Sequence, residues 1–184
     1  MSARLQSRQS RVAARQDPLR RHYRDHPEDA LITGRGRSHS TDLADPLHIW
    51  AEAGSREYGQ RWKLGLHKAV AGEHDAPNPG DLLCQALASC MDSVLRMLAE
   101  RHGIELESLQ VDATGDVNVH GTLQVTRGVP VGFQQLRCHV RMLPRGAVPV
   151  VLMERLVTAA EQSCVNLATL RGGVPVELRW NSGE

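Results

Sequence analysis

The feature of this 184-residue chain that most constrains its fold is one long apolar segment with helix signals at both ends. Asn78 is suited to cap a helix, Pro79 to its first turn, and Asp81 to the positive end of its dipole. Apolar residues then recur with the helical period, and Gly103 stands where a left-handed cap is expected. The residues predicted to form the buried stripe are Leu83, Leu87, Cys90, Val94, Met97 and Leu98.

Short segments of strand character precede this helix. They are "ALITGRGRSHS", "LHIWAEAG" and "RWKLGLHKAV", and they are separated by Gly, Asp-Pro and Ser clusters. We expect them to form antiparallel strands, because the connections are short and rich in turn residues.

The segments after the helix alternate in the same way and then return to helical spacing. "SLQVDATGDVNVHGTLQV" and "GFQQLRCHVRML" predict strands, and "VPVVLMERLVTAAEQSCVNLATLRGG" predicts one helix with Cys164 on its inward stripe. A last strand is predicted over "VPVELRW". This order indicates an α+β fold in which two main helices lie against mostly antiparallel sheets.

Charge is distributed unevenly along the chain and divides it into two parts. Residues 1–24 form an arginine-rich extension with seven arginines and one acid, so the overall net charge of +1 leaves about −5 on residues 25–184. The extension is interpreted as a mobile or partner-contacting segment with a solvated face. An arm for nucleic acid or a membrane surface, and an organelle transit peptide, stay open as alternatives. The arginines at helical spacing are Arg4, Arg8, Arg11 and Arg15.

Composition narrows the classes of function. Aromatic residues make up 3% of the chain, which disfavours base-stacking platforms for nucleic acid. We expect no membrane span, because no apolar run approaches the required length. Four cysteines without CxxC spacing, and an N-terminus without the apolar core of a secretory signal, favour a reducing, cytoplasmic setting.

The two cysteines on predicted inward stripes, Cys90 and Cys164, have two interpretations. Buried cysteine usually behaves as a small apolar residue, and the periodicity alone does not exclude this. Cys84 and Cys138, which lack a partner motif, are interpreted as structural.

Several motifs together resemble the OsmC/Ohr family of thiol peroxidases. These are "PNPGDLLCQALASC", the helix end "AERHGIEL", the second helix with "AAEQSC" and the terminal "VPVEL", so that the resemblance covers most of residues 17–178. The resemblance implies an intertwined homodimer with active sites at the interface. It also implies that Cys90 is the peroxidatic residue and Cys164 the resolving residue in the reduction of organic hydroperoxides.

A buried peroxidatic thiol needs a nearby cation, because burial alone disfavours the thiolate. The helix dipole acts within the first turn and does not extend to Cys90. The resemblance implies an arginine from the N-terminal strands; Arg35 aligns better than Arg37, although the register leaves both open. In relatives a glutamate directly after the helix-start proline holds this arginine.

The chain departs from the family pattern at that glutamate. Gly80 follows Pro79, and the first acid is Asp81, which we predict either to orient the arginine or to serve as the N3 cap residue. Glu73 and Asp75 in the preceding loop are alternative partners. The proline that commonly follows the second cysteine in the family is also absent, because Val165 follows Cys164.

The resulting hypothesis is a cysteine-based peroxidase that needs neither metal nor flavin. Cys90 would become a sulfenic acid and then a disulfide with Cys164, which an external dithiol reduces. The apolar stripes predict a greasy pocket that favours alkyl or lipid hydroperoxides. A family member that binds small ligands or acts as a stress-related accessory protein is the alternative. A nucleic-acid protein acting through the arginine arm is disfavoured.

Two further groups of residues are assigned no function. The nine histidines show no metal motif of the HExxH or finger type. Asp92 and Arg96, four residues apart on the predicted helix, are interpreted as a surface ion pair.

Overall fold

The computed structural model describes residues 10–39, 43–55 and 57–181, and it has the predicted α+β architecture. Its helices are α1 (Arg11–Asp25), α2 (Pro79–Arg101), α3 (Val119–Thr122), α4 (Val150–Ser163) and α5 (Val165–Gly172). Its strands are β1 (Gly36–His39), β2 (Ile49–Ala53), β3 (Gln60–Leu64), β4 (Leu106–Asp116) and β5 (Gln135–Pro144). Single 3₁₀ turns cover Pro27–Ala30 and Lys68–Val70.

The strands form two separate antiparallel sheets, as predicted. In the N-terminal sheet β2 lies between β1 and β3, with Ala51 opposite both Ser38 and Trp62. The second sheet is the long pair β4 and β5, with Val111 opposite Val140 and an irregularity near Leu106.

The signals at the two ends of α2 act as predicted. The side chain of Asn78 accepts hydrogen bonds from the backbone of Gly80 and Asp81, and Asp81 accepts from the backbone N–H of Asn78 in return, which forms a capping box. At the other end Gly103 has φ of +69°, a conformation that favours glycine. Local sequence therefore determines where α2 begins and ends.

The core lies where α2 packs against β4, α4 and α5. The predicted stripe is correct at its centre and wrong at its edges: Leu83 is 39% and Met97 38% exposed, while Met91 and Leu95 are buried instead. The buried face of α2 therefore differs from the predicted stripe, because β4, α4 and α5 all contact this helix. The buried residues are Leu87, Met91, Val94, Leu95, Ala99, Leu156, Ala160 and Cys164.

Part of the arginine-rich segment is a helix attached to the end of α2. Glu100 of α2 accepts hydrogen bonds from the Ser10 hydroxyl and from the backbone N–H groups of Arg11 and Val12, at the positive end of α1. Arg101 contacts Asp17 at 2.6 Å. Residues 1–9 lie outside the described part of the chain, including Arg4 and Arg8.

Two predictions of local structure are wrong after α2. The predicted second helix is broken at Cys164, whose ψ of 107° is extended, so α4 and α5 are distinct helices. The segment after β4 that was predicted to continue as a strand contains the short helix α3, because Asn118 caps the turn at His120.

The predicted last strand pairs with no strand among the described residues. From Gly173 to Asn181 the chain is outside regular structure, and Val176, Leu178 and Trp180 are 88%, 93% and 82% exposed. The strand pattern is present in the sequence, but residues 10–39, 43–55 and 57–181 do not provide a strand that pairs with it.

The expectation that no apolar run has membrane-spanning length is also wrong. α2 has 23 residues, and the mean hydropathy of an 18-residue window within it is 1.4. A core helix covered on several sides has the same composition, and α2 contacts β4, β5, α1, α4 and α5.

Candidate functional site

The structure brings Cys90 and Cys164 together beneath the surface of the helical core. Cys90 is half-buried on α2, and Cys164 is fully buried at the junction of α4 and α5. Both thiols are free, and Cys90 packs against the buried cluster that contains Cys164. Residues that are 74 positions apart in sequence thus lie in the same part of the core, where Cys90 affects the pKa of Cys164.

The surroundings of Cys164 influence its ionisation in opposite directions. Burial raises the pKa of the Cys164 thiol, and the neighbouring Cys90 raises it further. Cys164 is the residue before α5, and the backbone N–H groups of Leu167 and Asn166 at the start of that helix lower its pKa. Burial is the largest influence, so this thiol keeps its proton at neutral pH.

A side chain that the sequence analysis missed fixes the junction against α2. The Asn166 amide donates to the backbone carbonyl of Ala86 at 2.8 Å, one turn before Cys90. An asparagine in the first turn of a helix is too common to identify such a contact from sequence.

A cavity of about 350 Å³ lies between α2, β5, α4 and α5. Its apolar wall includes Leu87 and Met91 of α2 and Leu167 of α5, and Cys138 is the cysteine that lines it. Glu161 and Arg171 also line it and form an ion pair at 3.1 Å. Cys90 and Cys164 belong to the neighbouring core and not to the lining of this cavity.

The predicted activating arginines lie elsewhere in this chain. Arg35 directly precedes β1, Arg37 lies within it, and both line a shallow cavity with Glu52, Gly54 and Ser55. Among the described contacts, none joins either guanidinium to Cys90.

The carboxylates named as possible partners of that arginine have other contacts. Asp81 accepts hydrogen bonds from the backbone and side chain of Asn78. Asp75 contacts His48 and Lys63 at 2.9 Å each, and Glu73 lies 3.8 Å from His48. An orienting role for Asp81 stays a prediction.

Gly80 has a steric reason to be glycine. A Cβ atom added there would lie 2.9 Å from Oδ1 of Asn78 and 3.2 Å from Cζ of Phe133. The helix cap and the aromatic ring thus occupy the space that a glutamate side chain at this position would need.

The other residues singled out in the sequence are two further cysteines and one ion pair. Burial raises the pKa of both Cys84 and Cys138, and their structural role stays a prediction. Asp92 and Arg96 form the predicted surface pair, with Nε and Oδ1 separated by 2.5 Å.

Comparison with known proteins gives related sequences and folds. YmaD of Bacillus subtilis, an uncharacterized protein, is 30% identical over 117 residues, which are 62% of this chain and 74% of that protein. An organic hydroperoxide resistance protein OsmC from Legionella pneumophila has a TM-score of 0.57 at 21% identity, covering 77% of this chain and 91% of its own.

Two further solved structures share the fold. The OsmC-like protein VCA0330 of Vibrio cholerae, of unknown function, has a TM-score of 0.59 at 13% identity, covering 76% of this chain and 94% of its own. An organic hydroperoxide resistance protein from Elizabethkingia anophelis has a TM-score of 0.56 at 19% identity, covering 78% and 91%. The family profile described as OsmC-like protein matches residues 72–179, which include both helices with the paired cysteines, and the chain belongs to that family.

Proposed function

We propose that this protein is a cysteine-based peroxidase that reduces organic hydroperoxides of the alkyl or lipid class. The observation that carries the proposal is the contact between Cys90 and Cys164 at the wall of the helical core. The cavity lined by Leu87 and Met91, residues of the helix that carries Cys90, is suited to an alkyl chain more than to hydrogen peroxide. Relatives of the same fold that are described as organic hydroperoxide resistance proteins support this choice.

The proposed first step oxidises Cys90. Its thiolate attacks the terminal oxygen of ROOH, the O–O bond breaks, and the alkoxide leaves as ROH after taking up a proton. Cys90 becomes a sulfenic acid. Before this step the protonated Cys164 thiol can donate a hydrogen bond to the Cys90 thiolate, which stabilises the anion.

The proposed second step closes the disulfide. The Cys164 sulfur attacks the sulfenic sulfur of Cys90, an S–S bond forms, and water leaves with the proton of Cys164. An external dithiol then reduces the disulfide by exchange and restores both thiols. The existing contact between the two side chains means that this step needs little movement of the helices.

We also propose that the working unit is a homodimer. The N-terminal sheet exposes Trp50 and Trp62 by 39% and 43%, and the C-terminal segment exposes Leu178 and Trp180 almost fully. Large exposed apolar surfaces of this kind are typical of interfaces. A second copy that covers them could supply Arg35 to the thiols, which this chain alone does not do.

The alternative function is a small-ligand binding or accessory protein with the same fold. The observation that favours it is Gly80, which is held as glycine by Asn78 and Phe133 where relatives are expected to have glutamate. Without that carboxylate, an activating arginine would lack its usual partner.

The test is a titration of free thiols. Reduced protein is mixed with cumene hydroperoxide, and we expect two thiols per chain to disappear. Cys90→Ser should prevent the loss, Cys164→Ser should lose one thiol and accumulate a sulfenic acid that dimedone traps, and Cys84→Ser is the control that should behave like the wild type. If the folded wild-type protein keeps all its free thiols, the peroxidase proposal is rejected in favour of the small-ligand binding or accessory function.

A second experiment identifies the activating cation. Arg35→Ala, Arg37→Ala and Arg171→Ala are compared by the rate of Cys90 oxidation, since removal of the activating charge should slow it about 10-fold or more. If Arg35 acts across a dimer, mixing Arg35→Ala with Cys90→Ser should restore part of the rate. A loss confined to Arg171→Ala would place activation within one chain.

A further inference from the structure

Three side chains with metal-binding atoms converge at the junction between the N-terminal sheet and the loop that leads into α2. They are His48, directly before β2, and Glu73 and Asp75, shortly before Pro79. Nε2 of His48 lies 2.9 Å from Oδ1 of Asp75 and 3.8 Å from Oε2 of Glu73. One ligand atom from each residue lies within 4.8 Å of the other two. No cysteine belongs to this cluster among the described residues.

A fourth residue orients the imidazole. Nδ1 of His48 is 2.8 Å from Oδ2 of Asp45, which leaves Nε2 directed at the two other carboxylates. Metal-binding histidines almost always have such a carboxylate or carbonyl partner on the second nitrogen, because it fixes the tautomer and raises the basicity of the ligand. His48 is also the least exposed member, with 13% of its side chain accessible.

The charge of the cluster favours a cation. Asp45, Glu73 and Asp75 are balanced among these contacts by a single ammonium, that of Lys63, which leaves two negative charges when His48 is neutral. Lys63 contacts Oδ2 of Asp75 and leaves Oδ1 directed at His48.

We propose that His48, Glu73 and Asp75 form a binding site for a divalent transition-metal ion, with Zn²⁺ as the best match. The ligands would be Nε2 of His48 and one oxygen from each carboxylate, with Asp45 as the outer partner of Nδ1. Bond lengths of about 2.0–2.2 Å on a tetrahedral ion place ligand atoms about 3.4 Å apart, so the pair at 2.9 Å must open by about 0.5 Å. Three protein ligands leave one coordination position for water or another molecule.

The ion would reinforce a link that is already present, because Asp75 contacts both His48 and Lys63 of β3. His48 directly precedes β2, and Glu73 and Asp75 lie in the segment that leads into α2. Binding displaces the proton from Nε2 of His48, so metal and proton compete for the same atom. Bound metal would then hold the N-terminal sheet against the helical core.

The experiment measures metal content in the full chain. Purified protein is dialysed against buffered Zn²⁺ and then against metal-free buffer, and metal per chain is measured by mass spectrometry. We expect the wild type to retain one Zn²⁺ per chain. His48→Ala and Glu73→Gln should retain none, and Asp45→Asn should bind Zn²⁺ 10–100-fold more weakly. His120→Ala is the control and should bind like the wild type, because His120 is an exposed histidine on α3.

The thiols are the competing site, and Co²⁺ distinguishes the two. At the proposed site Co²⁺ should give visible ligand-field bands without the near-ultraviolet charge-transfer band of a thiolate ligand. Zinc should also raise the melting temperature of the wild type and not that of Glu73→Gln. Because the Glu73 side chain is exposed, this substitution should not disturb folding, so misfolding would not explain a missing shift. Equal metal content in the wild type and Glu73→Gln, or a thiolate band that persists in His48→Ala, overturns the proposal.

Discussion

The helical core and the N-terminal sheet of this protein differ in how completely one chain buries their apolar side chains. In the core, α2 is covered by β4, α4 and α5, and Leu95, Ala160 and Cys164 are fully buried. In the sheet, β1 to β3 pair with one another, while Trp50 and Trp62 remain partly exposed. The exposed C-terminal segment belongs with the sheet in this respect. The comparison indicates that the core is self-sufficient and that the sheet and the C-terminal segment need a partner surface.

The largest expected effect concerns the helical core, which one chain buries by itself. Leu95→Ala should lower the free energy of unfolding by about 2–5 kcal/mol, because a fully buried leucine leaves a cavity between α2 and its neighbours. Denaturant titration followed by circular dichroism measures it. Leu178→Ala is the matched control, since this leucine is 93% exposed and should leave the stability of the separate chain nearly unchanged. Similar losses in the two variants would remove the distinction between the halves.

The next effect concerns the junction between the two halves. Gly80→Glu should lower the free energy of unfolding by about 1–3 kcal/mol, because the new side chain must displace Asn78 or Phe133. It should not increase peroxidase activity, since the displaced cap disturbs the start of α2. Gly132→Ala is the control, because its Cβ would meet no atom within 4 Å. A more active and equally stable Gly80→Glu variant would contradict this explanation.

The third effect concerns the N-terminal sheet and the C-terminal segment, whose apolar side chains are exposed in one chain. If a second copy covers the C-terminal segment, Trp180→Ala should weaken self-association about 10-fold or more, as expected for a buried aromatic anchor. Trp180→Phe should retain most of the affinity. Sedimentation equilibrium over a range of protein concentrations measures both. A chain that is monomeric at every concentration would mean that its exposed surfaces serve another purpose.

The smallest effect concerns the attachment of α1 to the core. Hydrogen bonds from Ser10 and then from the backbone of Val12 lower the pKa of Glu100 from its ordinary value of 4.5. Stabilisation by Glu100 is therefore complete above that value and is lost as the pH falls through the lowered pKa of the folded state. Amide exchange of α1 should rise in acid, and Glu100→Gln should produce a similar rise at neutral pH. Glu107→Gln, an exposed carboxylate on β4, should not.

Sequence reasoning performed best where the signal is local. The helix-start and helix-end signals at Asn78 and Gly103 predicted the bounds of α2, because capping groups contact the backbone within a few residues. The strand predicted over "GFQQLRCHVRML" is present as β5, and its alternation leaves Cys138 half-buried and His139 exposed. It was less successful for Leu83 and Met97, because the edge of a buried stripe depends on which neighbours cover it.

The candidate sites show the same limit. The pairing of Cys90 with Cys164 was implied by family resemblance, since no local pattern connects two thiols on different helices. The spacing of His48, Glu73 and Asp75 in the sequence matches no known metal motif. The loop between β3 and α2 places Glu73 and Asp75 beside His48 in the folded chain. Asn166 and Arg171 gave no signal that separates them from ordinary helix residues.

The sequence by itself determined the α+β class, the bounds of α2 and the inward positions of the two cysteines, since periodicity and capping act over a few residues. The tertiary structure decided that Cys90 contacts Cys164, that the helix breaks at Cys164, and that the C-terminal segment pairs with no strand in the described part of the chain. These outcomes depend on contacts between residues far apart in sequence, and such contacts exist only when the whole chain has packed.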